Sequence, residues 1–175
     1  MQEVFFSYGG SFIVRREVFE KSGGFDARYF TLNDDVDLCF RVRMLGYGIV
    51  YNKKSFVYHK VSATLGKLYD RPLKHYWSER NTLRTFLKNQ DFLHLIFLLI
   101  PYFSILLAEM LYLLSRGKFS LALSDLKAIF WNIIYLPETL YLRMKTQSHK
   151  KCSVFSQLTK TSFKLRLFEA FSKVL

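Results

Sequence analysis

Residues 23–41, GGFDARYFTLNDDVDLCFR, carry the reading on which the fold turns. A glycine pair opens the stretch, Tyr29 and Phe30 follow, and Asp34, Asp35 and Asp37 crowd the point where loop gives way to helix. Asn33, Asp34 and Asp35 are all good helix caps, and negative charge is favoured at that end of the helix dipole. From Val36 the apolar residues fall at Val36, Phe40 and Met44, flanked by Leu38, Val42 and Leu45. That is helical spacing, with Gly46 as the stop. Carboxylates this close repel one another, so the cluster costs stability unless a cation, a hydroxyl group or backbone N–H groups meet it. Two readings stay open from the residues alone: acids that only cap a helix, or the acid/base corner of an active site. Gly23, Gly24 and Asp26 read as turn chemistry.

Upstream, Val4–Phe6 and Ser11–Val14 are short β-prone runs joined through Gly9 and Gly10, and a short helix is expected from Glu17 to Ser22. Downstream, Ile49–Tyr51 and Phe56–Tyr58 read as two strands around a Lys53-Lys54 turn, the second delivering His59 at its end. Residues 60–75 read as polar and irregular, and His75–Leu87 as helix. Phe92–Leu114 is almost entirely apolar, with Arg84 and Lys88 before it and Arg116 and Lys118 after it. A bilayer core takes about 20 such residues in a helix. Pro101 is expected to kink that helix, and Glu109 to be costly in lipid unless paired. A buried core helix is the other reading, but here apolar residues surround the whole helix. Phe119–Leu142 is interrupted by Asp125, Lys127 and Glu138 and reads as lying in the membrane interface. In the basic tail, Phe155, Phe163, Leu167, Phe168 and Phe171 allow a last amphipathic helix. The chain thus divides into 1–90, a helical segment 91–145 and a basic tail 146–175.

The 175 residues carry a net charge of +12, although half of them are hydrophobic. A basic balance fits nucleic acid, an anionic membrane surface or phosphate-bearing substrates. There is no zinc-finger spacing and no Arg-rich recognition helix, so no nucleic-acid partner is expected, and the apolar stretch favours a membrane. Cys39 lies in a predicted helix and Cys152 in a polar tail; a reducing compartment is expected rather than a disulfide framework. MQEVFFSYGG lacks the basic start and long apolar run of a signal peptide.

Glycosyl transfer from a nucleotide sugar needs a base for the acceptor hydroxyl and a positive centre for the departing diphosphate. A carboxylate among other acids at a helix start suits the first task, and a histidine at a strand end can bind a divalent metal. GGFD at 23–26, the Tyr29-Phe30 pair and the acid run Asp34-Asp35-Val36-Asp37-Leu38 ending in Arg41 come first. Gly46-Tyr47 before a strand, His59 and Arg80-Asn81 in an aromatic helix follow in order. Together they resemble the second half of a family-2 glycosyltransferase of the GT-A fold. The apolar-then-basic C-terminus is similar to rhamnosyltransferase-like members that build bacterial surface polysaccharides. The resemblance runs from Gly10 to Lys151.

The resemblance implies an α/β chain: the acceptor-side half of a GT-A (nucleotide-diphospho-sugar transferase) domain followed by membrane-associated α-helices. It implies that Asp35 is the catalytic base of a one-step inverting displacement. Asp34, where the family more often has Glu, would hold the acceptor or orient the base. Asp37 and Arg41 join it on the acceptor side, Asp37 also capping or bracing the helix and Arg41 pairing with an acid. His59 matches a metal-site histidine of some members, so a divalent metal, Mg or Mn, is implied; an ordinary strand end is the other reading. Arg80 is a candidate phosphate contact, or else part of a solvated helix face. The implied partners are a nucleotide-sugar donor, a lipid-linked or polysaccharide acceptor, and the cell membrane at its cytoplasmic face. The family's nucleotide-binding half has no counterpart in these residues, so the chain is expected to be an acceptor and base portion that is inactive alone. The rival from another class is a non-enzymatic, basic, membrane-associated interaction protein.

Overall fold

The computed structural model describes residues 2–60, 66 and 69–153. Along the chain come β1 (Gln2–Glu3), α1 (Arg16–Lys21), α2 (Asp34–Met44) and β2 (Val50–Tyr51), then α3 (Arg71–Asn89), α4 (Phe92–Ser115), α5 (Phe119–Ile134) and α6 (Leu136–Ser148). Helices dominate. Among the described residues the sheet is one antiparallel pair, β1 with β2, in the register Gln2↔Tyr51 and Glu3↔Val50. The α/β expectation is corrected to this extent: Val4–Phe6, Ser11–Val14 and Phe56–Tyr58 form no strands. Strand propensity is mostly a measure of fit to a pleated neighbour, and beyond the Val4 N–H, which donates to the Ile49 carbonyl at 2.9 Å, those runs join no strand pair among the described residues. The first two contribute side chains to the core instead. Phe5 packs on Phe40 and Met44, and Phe12 and Val14 pack around Val18, Leu38 and Val42. The helix α2 is therefore gripped on two faces. Arg43, fully buried, fastens it further by donating from Nε to the Phe5 carbonyl at 2.7 Å and from its other nitrogens to Val4 and Glu3.

Helix ends follow the sequence closely. At the end of α1, the N–H groups of Gly23 and Gly24 bond back to the carbonyls of Glu20 and Phe19, at 3.0 and 2.9 Å. At the end of α2, Gly46 and Tyr47 do the same to Arg43 and Val42, at 2.8 and 3.3 Å. These paired bonds need a left-handed residue just past the helix, and Gly23 (φ 84°) and Gly46 (φ 87°) supply it. The start of α3 lies four residues earlier than expected. Asp70 accepts from Leu73 N–H at 2.9 Å and Pro72 sits in the first turn, so a cap and a proline open the helix inside a stretch read as irregular.

The body is organised around α3. It packs most widely on α5, next on α6, and on its other side meets α2. The 91–145 segment is thus joined to the first through a shared helix. The stretch 119–142, expected as one interfacial piece, is two helices that meet at Tyr135 with a bend of 66°. The apolar stretch 92–114 is one helix that runs through Pro101 without a break. Among the described residues α4 is the helix long and apolar enough to cross a membrane; α5 and α6 would qualify only as a single bent span. Little of α4 is buried: Leu106, and Leu113 against Leu121 and Ala122. Glu109, the acid in its apolar run, has His75 Nε2 at 4.0 Å. The tail helix expected around Phe155–Phe171 lies outside the described residues.

Candidate active site

The three acids do not share one environment. Asp35, half-buried at the start of α2, accepts from the Gly9 N–H through Oδ2 at 2.6 Å and from the Val36 N–H through Oδ1 at 2.8 Å. A carboxylate has about four lone-pair sites. Each Asp35 oxygen keeps acceptor capacity beyond these contacts and stays within reach of solvent. The Gly9 contact is close: a methyl group at that position would meet Oδ2 at 3.1 Å. The same turn holds His59, whose Nε2 lies 3.2 Å from the Tyr8 hydroxyl, with its Nδ1 3.3 Å from where a Gly10 side chain would begin. One tripeptide, Tyr8-Gly9-Gly10, therefore meets both side chains: Asp35 at its middle residue, His59 at the two residues that flank it.

Asp34 is half-buried beside Asp35. Burial raises its carboxyl above the ordinary range, and the charges of Asp35 and Asp37 push the same way. Asp37 and Arg41 are different. Asp37 is wholly buried and Arg41 nearly so, and they pair at 2.7 Å. Asp37 also receives Asn89 at 2.8 Å, Lys88 at 2.8 Å and the Tyr29 hydroxyl at 3.3 Å. Arg41 donates to the Ser22 carbonyl too. Both side chains are thus committed to each other and to the core.

Arg80, the candidate phosphate contact, turns inward rather than onto a solvated face. It is buried, with its guanidinium over the Trp131 ring at 4.7 Å, and it donates to the carbonyls of Arg28 and Tyr29 at 2.9 and 3.0 Å. Asn81, next to it, spreads its amide over the carbonyls of Tyr29, Thr31 and Leu32 at 3.2, 2.7 and 2.7 Å. These bonds clamp a loop in an uncommon backbone state. Phe30, Leu32 and Asn33 all have positive φ, at 57°, 64° and 62°. Each such non-glycine residue costs of order 1–3 kcal/mol and persists only where its surroundings over-determine it. The expected side-chain cap by Asn33 is not made. Its amide crosses to α3 and donates to Thr82 Oγ1 at 2.8 Å and the Ser78 carbonyl at 3.3 Å.

Asp26 of the GGFD turn does more than turn chemistry. One oxygen receives Arg28 N–H at 3.0 Å; the other receives Arg84 at 3.2 Å and Lys88 at 2.8 Å. Burial alone would raise its carboxyl, but Lys88 and Arg84 outweigh that and hold it at about 2. Arg84 continues to Glu138 and Thr139 of α6, at 2.9 and 2.7 Å. One ionic chain thus runs from the GGFD turn through α3 to α6, with Lys88 bridging Asp26 and Asp37. A cavity of about 480 Å³ lies behind the C-terminal half of α2, bordered by Ser22, Asp26, Arg41, Lys88, Glu138 and Leu142; Asp35 does not line it.

The metal was implied through His59. Among the described residues no three His, Cys, Asp or Glu side chains converge as metal ligands. His59 is placed beside Tyr8, its Nε2 3.2 Å from the Tyr8 hydroxyl. Sequence reasoning missed the Gly9 contact to Asp35, the Arg80-Asn81 clamp and a ring cluster of Phe30, Tyr69 and Trp77. Only the clamp had a signal, as adjacent residues inside the resembling motif order.

A sequence model for the family described as Glycosyl transferase family group 2 matches residues 1–144. Over 59 residues the chain is 39% identical to N-acetylglucosaminyl-diphospho-decaprenol L-rhamnosyltransferase of Mycobacterium tuberculosis, in each of two strains. That match covers 34% of this chain and 19% of the relative, so the aligned part spans about a fifth of the curated proteins' length. No solved structure matches.

Proposed function

Because the chain belongs to glycosyl transferase family group 2, we propose that it is the acceptor- and base-bearing part of an inverting glycosyltransferase. In this reading it forms the acceptor-side half of a GT-A domain with membrane-associated helices behind it. The transferred sugar comes from a nucleotide-sugar donor and goes to a lipid-linked or polysaccharide acceptor at the cytoplasmic face of the membrane. Rhamnosyl is the sugar type favoured, by likeness to the mycobacterial rhamnosyltransferase. Asp35 takes the proton from the acceptor hydroxyl as its oxygen attacks the anomeric carbon; the bond to the diphosphate breaks and the nucleotide leaves with the electron pair. Asp34 holds the hydroxyl. Gly9 positions the base by fixing one of its oxygens. The donor is held mostly by polypeptide other than the residues described, so the 175-residue chain by itself should leave a nucleotide sugar unconsumed. A divalent metal at the diphosphate remains part of the proposal, with His59 as at most one of its ligands.

The observation that carries this reading is the contrast between the acids: Asp35 is held by backbone N–H groups yet reachable, whereas Asp37 is sealed. The test is Asp35→Asn in the active transferase, assayed by transfer from a nucleotide sugar to a prenyl-diphosphate-linked sugar. Loss of a general base should lower kcat by about a hundredfold to ten-thousandfold. Unchanged turnover with unchanged membrane binding would favour the rival, a non-enzymatic membrane-associated protein, for which the exposed apolar surface of α4 is the supporting observation.

A further inference from the structure

The loop clamped by Arg80 and Asn81 displays a side chain that the core does not use. Phe30 is 68% exposed although its backbone is held at positive φ. Isolated exposed apolar residues are ordinary, but this one is not isolated. Its ring lies 5.2 Å from Trp77 and 6.2 Å from Tyr69, and those two rings are 4.9 Å apart. Tyr69 and Trp77 are half-buried, so the cluster has a rooted side and an open side. Two of the three pairs meet edge to face, at 90° and 77°, and Phe30 is tilted 55° to Trp77. In an edge-to-face pair one ring's edge covers one face of its partner and leaves the other face open, so the cluster keeps aromatic faces available.

The cluster also sits beside the acids. Phe30 precedes Asp34 by one helical turn's worth of chain. Asn33 is tied to Ser78 and Thr82, which follow Trp77 on α3. Five hydrogen bonds from Arg80 and Asn81 fix the intervening backbone. A strained, over-determined loop that presents a ring next to candidate catalytic carboxylates is better explained by a ligand than by packing, since packing would have buried the ring.

We propose that Phe30, Tyr69 and Trp77 form a stacking platform for a pyranose ring of the acceptor, placing its hydroxyl toward Asp34 and Asp35. A pyranose presents a face of axial C–H groups, apolar and weakly positive. An aromatic face carries the opposite charge, and no side-chain charge is needed for the contact. The platform rests on the transferase reading for the word acceptor, but not for the binding itself.

The probe is methyl β-D-glucopyranoside, whose axial C–H groups lie on both faces, titrated against the full 175-residue chain in detergent. Tryptophan emission and saturation transfer from protein to the sugar C–H protons are recorded. A saturable emission change is expected, lost in Trp77→Phe, together with strong saturation of the axial protons. Phe30→Ala, at an exposed position that leaves the core intact, should weaken apparent affinity about threefold to tenfold. A parallel titration with octyl phosphate presents a chain without a ring. Response to octyl phosphate alone, no detectable glycoside response, or equal glycoside affinity in wild type and Phe30→Ala would each overturn the platform. The transferase reading is judged separately by the Asp35→Asn assay. Glycoside binding that depends on Phe30, alongside turnover that ignores Asp35, would leave the platform standing and remove the transferase. The reverse pair of results would do the opposite.

Discussion

α3 and α4 follow one another in the chain and dispose of their side chains in opposite ways. α3 buries Arg80, Asn81, Arg84, Thr85, Lys88 and Asn89. α4 buries Leu106 and Leu113 and leaves Phe92, Phe97, Ile100, Ile105 and Leu111 exposed. Inside-out on both counts, the two helices obey one rule. A buried charge is tolerated where opposite charges and carbonyls meet it, and an exposed apolar face where something other than water covers it. The polar face of α3 is spent inward, on the GGFD turn, the strained loop and α6. The apolar face of α4 points outward, at an environment that the described residues do not provide.

The sharpest way to break the comparison is to remove a charge from α3. Lys88→Met keeps length and volume but leaves Asp26 and Asp37 each short of a cation. Removing one member of a buried pair typically costs about 3–5 kcal/mol. A urea midpoint that drops by the corresponding amount, and recovers in part when Asp26→Asn is added, is the expected result. A midpoint that does not move would mean that the interior charges of α3 are solvated after all. Next in size is Asn81→Ala, which strands the carbonyls of Thr31 and Leu32, while that of Tyr29 keeps its bond from Arg80. With each buried unsatisfied group costing about 1–3 kcal/mol, and water able to reach some of them, a loss of about 2–3 kcal/mol is expected. Hydrogen exchange should then quicken around 29–33 before it does in α5.

Acid titration probes the same interior. Asp26 has a carboxyl near 2 in the folded chain against 3.8 ordinarily, so the unfolded state takes up protons first as pH falls. Its contribution, about 2 kcal/mol, is present in full above pH 4 and is lost as pH falls through 2. Glu138 is lowered as well, by its bonds from Arg28 and then Arg84, and adds to the same acid limb. Asp34 and Glu79 are raised, mainly by burial, and pull the other way at higher pH. The decisive measurement is therefore the difference in urea midpoint between wild type and Asp26→Asn from pH 5 to pH 2. It should shrink toward the acid end.

Much of the outward-facing half was legible in the residues, and much of the inward-facing half was not. The run 92–114 becomes α4 because local hydropathy and length are enough to specify an apolar helix. The acid-rich start and glycine stop of α2 are likewise local signals, and both are where spacing placed them. The buried face of α3 has a helical repeat, 80, 84, 88 and 81, 85, 89, but a polar stripe of that period ordinarily faces water. What buries it lies far away in sequence: Asp26, Asp37, Glu138, and carbonyls at 28–32. Nor does any local rule tell that Asn33 would give up capping to reach Thr82. Asp70 and Pro72 are the opposite case, since a cap followed by a proline is a start signal that the polar look of 60–75 obscured.

The smallest expected effect on folding tests the other helix. Ile100→Lys places a charge on the exposed surface of α4, at a residue that is 63% exposed, so stability in detergent should stay within about 0.5 kcal/mol. Leu113→Lys, on the same helix but packed on Leu121 and Ala122, should destabilise, because it buries a charge with nothing to meet it. Partition into phospholipid vesicles separates the environments. If lipid covers the outer face, Ile100→Lys weakens partition while folding is untouched, since a charge at the hydrocarbon centre costs about 2.5–3.5 kcal/mol. If instead Ile100→Lys destabilises as Leu113→Lys does, or changes the oligomeric state in detergent, the outer face is covered by protein. The apolar side of the comparison would then be an interface between chains rather than a contact with a bilayer.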